Sequence, residues 1–501
     1  MTLRRVVVVG GGTAGWISAA VLSRLLGNQL DITLIESDDI GTVGVGEATI
    51  PPILSLNRAL GIDEADFLRE TSGTIKLGIQ FEGWGRVDDS YMHAFGNIGK
   101  DYPFCSFHHF WTRYRQQHPE SSFWDYSLNY QASITGRFAP IERMENTSLP
   151  GLVYAYHFDA ARYAAYLRRY SENLGVKRIE GKVCDVQLNS SNGYIASVGL
   201  ETGMTIDGDL FIDCSGFRGL LIEQQLHAGY DDWSHWLPCN RALAVQTEAV
   251  APPIPFTRSI AHDAGWRWQI PLQHRLGNGL VYCDSYLSHD DAQSRILSLV
   301  DGKPITEPRP IVFRTGRRRQ QWQKNCVAIG LSSGFLEPLE STSIHLIQTG
   351  ILRLIKLFPH RAISSSDVAE YNRQSREEFE HIRDFIILHY KVNRRDDSEF
   401  WRYCASMEIP DSLAHKIDLV RSTGKVYNPQ EDLFSEIAWQ QVLIGQGVVP
   451  EDYHPLANAM TEVHVQQLMD NIKGLIRRTV EKLPSHEQWL KKMTGSRKLE
   501  G

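Results

Sequence analysis

The first forty residues constrain this chain more than any other stretch. Val6 to Val9 is an unbroken β-branched run, the pattern of a strand buried in a parallel sheet. Gly10-Gly11-Gly12-Thr13-Ala14-Gly15 follows it. Trp16 to Leu26 then has the apolar content of a helix, and Asp31 to Ile35 reads as a second strand ending at Glu36. Strand, glycine turn, helix and strand form one βαβ unit. In that context the glycines have separate tasks. Gly10 permits the tight turn, Gly12 lets the backbone approach a pyrophosphate, and Gly15 lets helix and strand pack closely. The helix N-terminus favours phosphates, and Glu36 is placed to accept hydrogen bonds from a ribose diol. The pattern points to dinucleotide binding, against the alternative of a fortuitous glycine turn.

Two distant segments decide which dinucleotide. Asp213-Cys214-Ser215-Gly216-Phe217-Arg218 follows a mid-chain strand, Leu210 to Asp213. Gly330-Leu331-Ser332-Ser333-Gly334-Phe335 follows a late one, Cys326 to Gly330. A Rossmann-like domain interrupted by a substrate region rebuilds a flavin site from such pieces, whereas a simple NAD dehydrogenase has no need of them. FAD is therefore favoured. The stretch from Ile79 to Tyr156 is rich in aromatic and turn residues and reads as irregular. A helix is expected over Asp159 to Leu174, and short strands over Lys182 to Leu188 and Ile195 to Leu200. A β-rich stretch is expected from Arg241 to Asp284, and helices dominate after Ser341.

Composition narrows the class of protein. The chain has 501 residues with a net charge of -7, which argues against nucleic acid or an anionic membrane as partner. Basic runs such as Arg317-Arg318-Arg319 read as solvated or ion-paired surface. Seven cysteines are scattered without a CxxC pair, so reduced thiols are expected rather than disulfides or a metal site. The N-terminus lacks a signal-peptide pattern, and no apolar run approaches the ~18 residues of a membrane span. A cytoplasmic location is expected.

Three further motifs carry a family resemblance. Gly44-Val45-Gly46-Glu47-Ala48-Thr49-Ile50-Pro51, Gly265-Trp266-Arg267-Trp268-Gln269-Ile270-Pro271 and Phe335-Leu336-Glu337-Pro338-Leu339-Glu340-Ser341-Thr342 resemble, in order, marked segments of the flavin-dependent tryptophan halogenases. The resemblance runs from residue 1 to about residue 390. It implies that a separate flavin reductase supplies FADH2, and that oxygen and chloride or bromide then give hypohalous acid. The acid reaches an aromatic substrate through a lysine, Lys76, beside a glutamate, Glu340. It further implies flavin contacts at Thr13, Ala14, Gly15, Glu36, Ala48, Val183, Leu331 and Ile344. The halide amides fall on Thr342 and Ser343, where serine stands in place of the usual glycine. Trp266 and Trp268 match a barrier that keeps substrate off the flavin. His93 and Phe95 match residues that stack on an indole. A homodimer is expected by analogy.

The chemistry of both catalytic groups stands independently of the family. An ammonium on a flexible stem can hydrogen-bond hypohalous acid, and a carboxylate by the ring can stabilise a cation and remove its proton. One departure concerns substrate. No tyrosine pair precedes Gly445-Gln446-Gly447; Trp439-Gln440-Gln441 stands there. A zwitterion needs matched polar partners, so indole or an indole derivative is expected rather than free tryptophan. The fold expected is α/β, an FAD-binding Rossmann-like domain of the flavin monooxygenase type with an interrupting β-rich substrate region and a helical C-terminal part. The FAD-binding box would comprise residues 1–78 and 157–345, and the substrate side 79–156 and 346–501. A flavin-dependent aromatic hydroxylase, or a non-catalytic flavin-binding protein, are the alternatives; neither needs Lys76 and the Trp266/Trp268 motif.

Overall fold

The computed structural model describes residues 3–40, 46–428 and 432–495. Gly44 and Val45 of the third glycine-bearing motif lie outside them. The chain divides into two compact units. The first holds residues 1–73, 158–241 and 311–380, and the second 74–157, 242–310 and 381–501.

The first unit is built on the opening βαβ. Strand Arg5–Val9 leads through the glycines into helix Thr13–Leu26 and then strand Asp31–Glu36. The helix starts three residues before Trp16 because Gly12, in extended conformation, is its N-cap. Six strands form one sheet, in the order Trp322–Gln323, Cys326–Ala328, Leu210–Asp213, Arg5–Val9, Asp31–Glu36, Lys177–Glu180. Val7 pairs in parallel with Phe211 on one side and Thr33 on the other. Both faces of the central strand are covered, so Val6, Val7 and Val8 are at most 1% exposed. Each then contributes roughly 1.5–3 kcal/mol by burial. Helices Ala160–Asn173 and Ser343–Lys356 pack against helix Thr13–Leu26.

The second unit carries a larger antiparallel-rich sheet. Within it, Arg275–Tyr282, Gly265–Pro271, Thr257–His262, Gly78–Glu82 and Ser90–Ala94 are successive neighbours. The last two strands, and helices Phe107–Gln117 and Leu128–Ile134, lie where the sequence suggested irregular structure. The strand signal was hidden because Tyr91 to Ala94 are buried on both faces, which erases the alternation that marks a half-exposed strand. The division also differs from the expected boundaries. Thr257 pairs in parallel with Ile79, so the β-rich stretch 242–310 joins the second unit. Helix Ser343–Lys356 packs on the opening helix and stays in the first.

All seven cysteines are free thiols. Among the described residues no group of His, Cys, Asp or Glu could hold a metal ion, and no helix is long and apolar enough to cross a membrane.

Candidate active site

The glycine turn of the first unit is tight at Gly10 and Gly15 and open at Gly12. Gly10 sits at φ +115, and a side chain there would meet the Cys214 carbonyl oxygen at 2.2 Å. A Cβ on Gly15 would lie 1.8 Å from the Gly10 oxygen. Gly12 is different, because a Cβ there meets nothing within 4 Å. The helix it caps has no side-chain cap and no acidic residue in its first turn. The first-turn amides, including those of Thr13, Ala14 and Gly15, thus face an open cradle with partial positive charge. That is a fit for a pyrophosphate.

Three segments far apart in sequence gather round this turn. Asp213 ends its strand fully buried. Its two oxygens accept the amides of Ser215, Leu221 and Ile222 at 2.8–2.9 Å, which shapes the Cys214–Gly216 turn. The Ser332 hydroxyl donates to the Asp213 carbonyl. Gly330, at φ +77, approaches so closely that a Cβ would meet the Ala14 methyl at 2.7 Å. Leu331 therefore stands in the one-turn helix Gly330–Ser332 beside the glycine turn. Val183 opens strand Val183–Leu188 and packs on a cluster holding Val9 and Ile35. Ala48 lies in the short strand Glu47–Ala48, and burial pushes the Glu47 carboxyl up to about 7. Glu36 accepts the Trp16 indole N–H at 3.1 Å on one oxygen and the Arg178 Nε–H at 2.5 Å on the other. The donor set and cradle suit FAD.

Glu340, 1% exposed, ends the single turn Pro338–Glu340. Ser341 follows at φ +59, and Thr342 leads into helix Ser343–Lys356. The amides of Thr342 and Ser343 thus open a 14-residue helix, a setting that favours an anion. The Thr342 hydroxyl is buried without a hydrogen-bond partner. Ile344 is buried in the first turn of the same helix.

The remaining predicted residues lie in the second unit. Lys76 ends strand Thr74–Lys76 with no exposed surface, and its Nζ is 5.5 Å from the centre of the Phe95 ring. His93 is buried and meets the rings of Phe385 at 5.7 Å and Phe434 at 6.2 Å. Those two rings stack at 3.8 Å. Trp266 and Trp268 share one face of strand Gly265–Pro271, with ring centres 6.0 Å apart. Gly279 on the next strand makes room for Trp268, since a Cβ there would lie 2.0 Å from the indole.

Sequence reasoning missed Phe385, Phe434 and Trp439, which complete the aromatic wall at His93. It also missed Arg178 on Glu36, and His157 and His486, which bond the Lys76 strand. Where a tyrosine pair was sought, Gln441 is engaged by the protein on both amide atoms, and Gln440 through its nitrogen alone, its Oε1 being buried without a hydrogen-bond partner. Gln441 makes a double bond pattern with the backbone of Ala94, at 2.9 and 3.0 Å, and the Gln440 amide donates to the His108 Nδ1 at 2.8 Å.

Comparison with known proteins identifies the family. The family profile described as tryptophan halogenase matches residues 5–462. The chain is 34% identical to tryptophan 7-halogenase RebH of Lentzea aerocolonigenes, over 98% of this chain and 99% of that protein. It superposes with a TM-score of 0.95 on Xcc4156, a flavin-dependent halogenase from Xanthomonas campestris, at 50% identity over 98% of this chain and 99% of that one. For BrvH, a flavin-dependent halogenase from Brevundimonas sp. BAL3, the TM-score is 0.94 and the identity 42%, over 98% and 99%.

The fold and the flavin cradle thus define a flavin-dependent enzyme. The chain belongs to the tryptophan halogenase family, whose members take reduced flavin from a separate reductase, use a halide and act on aromatic substrates.

Proposed function

We propose that this enzyme halogenates indole or an indole derivative without a free amino-acid group, using chloride or bromide, with Lys76 and Glu340 as its catalytic residues. Bound reduced FAD supplies, with oxygen, the oxidising power that turns halide into hypohalous acid. In the first unit, Gly10, Gly12, Thr13, Ala14, Gly15 and Glu36 hold its pyrophosphate and ribose, and Ala48, Val183, Leu331 and Ile344 line the rest. The Thr342 and Ser343 amides receive the halide. The Lys76 ammonium hydrogen-bonds the oxygen of hypohalous acid. As the ring attacks the halogen, a carbon–halogen bond forms, the oxygen–halogen bond breaks, and Lys76 protonates the departing hydroxide to water. Glu340 accepts the proton lost from the ring carbon.

The observation that carries this reading is the fully buried Lys76 ammonium beside Phe95. A hydroxylase has no use for a buried lysine at the aromatic wall, and the family match does not favour that alternative. Gln441, with both amide atoms bonded to the Ala94 backbone, favours an aromatic without a zwitterionic arm. His93 and Phe95 would stack on it, and Trp266 and Trp268 would keep it from the flavin. The test incubates the protein with FAD, a flavin reductase, NADH, indole and bromide or chloride, and weighs the product. Equal halogenated yield from wild type and Lys76→Ala would overturn the mechanism.

A further inference from the structure

Lys76 ends a strand of only three residues, Thr74–Lys76, and so short a ladder fixes position weakly by itself. Two buried imidazoles add to it. His157 faces Thr74 across the antiparallel pairing with strand Ala155–Phe158. The Thr74 hydroxyl gives its one hydrogen to the Pro271 carbonyl at 2.7 Å. It can therefore only accept from His157, so Nδ1 carries the hydrogen and donates across 3.1 Å. The His157 Nε2 pairs with the Thr257 hydroxyl at 2.9 Å. His486, at the start of helix His486–Gly495, repeats the arrangement. Its Nδ1 donates to the Pro253 carbonyl at 2.8 Å, and its bare Nε2 accepts the Ile75 amide at 3.1 Å.

The partners dictate a neutral ring at His486; at His157 the Thr257 hydroxyl can serve either role, and burial beside the Lys76 ammonium keeps that ring neutral. A proton on the His486 Nε2 would point at the Ile75 N–H. Burial acts in the same direction. It holds His486 down to about 4, and burial, with the Lys76 ammonium nearby, holds His157 well below its ordinary value. Pro271 is the last residue of the strand that carries Trp266 and Trp268, so the same bonds tie the lysine strand to the tryptophan strand.

We propose that His157 and His486 are positioning residues for Lys76, two neutral imidazoles that bolt the strand on both sides of Ile75 and so fix where the ammonium is presented. This rests on the role given to Lys76 above. Neither histidine touches substrate; each acts through the backbone or hydroxyl of the two residues before the lysine.

The test measures halogenated product per oxygen consumed for wild type, Lys76→Ala, His486→Leu and His486→Gln. A misplacement of about 1 Å costs on the order of 10²-fold in chemistry, so His486→Leu should lose at least about tenfold in coupling. Its FAD affinity and KM for indole should stay within about twofold of wild type. His486→Gln keeps an acceptor for the Ile75 amide and should recover most of the coupling, which a merely structural loss would not. Full coupling in His486→Leu beside a dead Lys76→Ala would overturn the positioning role, as would a glutamine variant no better than leucine. Coupling retained by Lys76→Ala would instead overturn the role of the lysine. Because the leucine variant can fail to fold, ¹⁵N-histidine spectra of the unsubstituted protein give an independent reading. Both rings should show a protonated Nδ1 and a bare Nε2 from pH 7.5 to about 6; a cationic ring or the other tautomer overturns the proposal.

Discussion

The Lys76 ammonium sits 5.5 Å from the centre of the Phe95 ring, with no surface of the lysine exposed. A cation at that range is attracted to the face of the ring, by roughly 0.5–2 kcal/mol when water is excluded. The lysine is thus held against the same wall that would carry the substrate. Replacing Lys76 by methionine keeps the stem and removes the proton donor. Product formation should fall by about 10²–10⁴-fold, the range for a positioned acid or base, while oxygen is still consumed. Product mass and oxygen uptake, measured together, check this.

Glu340→Gln keeps the shape of a buried side chain and removes the base. Halogenation should again fall, by about 10²-fold or more, with FAD binding unchanged. Stopped-flow product formation separates the two, because a general loss of structure would weaken FAD binding as well.

The glycines of the opening turn should respond differently to alanine. A Cβ on Gly12 meets nothing in the protein, so Gly12→Ala should melt at the wild-type temperature yet bind FAD at least about tenfold more weakly, a difference of ~1.4 kcal/mol. At Gly15 the Cβ would meet backbone at 1.8 Å, and Gly15→Ala should lower the melting temperature. Thermal melts with and without FAD distinguish the cases.

Stability should fall as pH drops from about 6.5 to about 4. Burial holds His108 and His486 down to about 4, whereas an unfolded histidine takes its proton near ~6.5. In that window the unfolded chain binds protons that the folded chain refuses, so acid favours unfolding. Each such histidine removes up to about 1.4 kcal/mol per pH unit. The His108 Nδ1 accepts from the Gln440 amide and its Nε2 donates to the Gly424 carbonyl, so His108→Asn lowers stability overall but should flatten the slope. Urea midpoints at several pH values measure it; an unchanged slope would count against the neutral histidine.

What the sequence disclosed followed the range of the interactions. The turn from Gly10 to Gly15 was legible because its constraints are local: a tight turn, a close approach and a helix start within six residues. Glu36 was legible for its place at a strand end, but Arg178, which occupies it, was not, because the pairing of Lys177–Glu180 with Asp31–Glu36 is set only by the sheet. His93 and Phe95 were singled out through a motif, whereas Phe385, on a long helix, and Phe434, in a bend, meet His93 only because distant segments fold back on its strand. His157 and His486 carried no signal at all; a lone histidine in a sequence reads as packing until its partners are known.

Glu36 is never an idle acceptor. Arg178 and Trp16 each take one lone pair, on opposite oxygens, and each oxygen keeps a second for a ribose diol, so the diol would meet a carboxylate already fixed in place. A carboxylate set in advance gives up no rotamer freedom when the diol binds. That suits a family whose members take their flavin already reduced from a separate reductase: the socket is shaped before its occupant arrives.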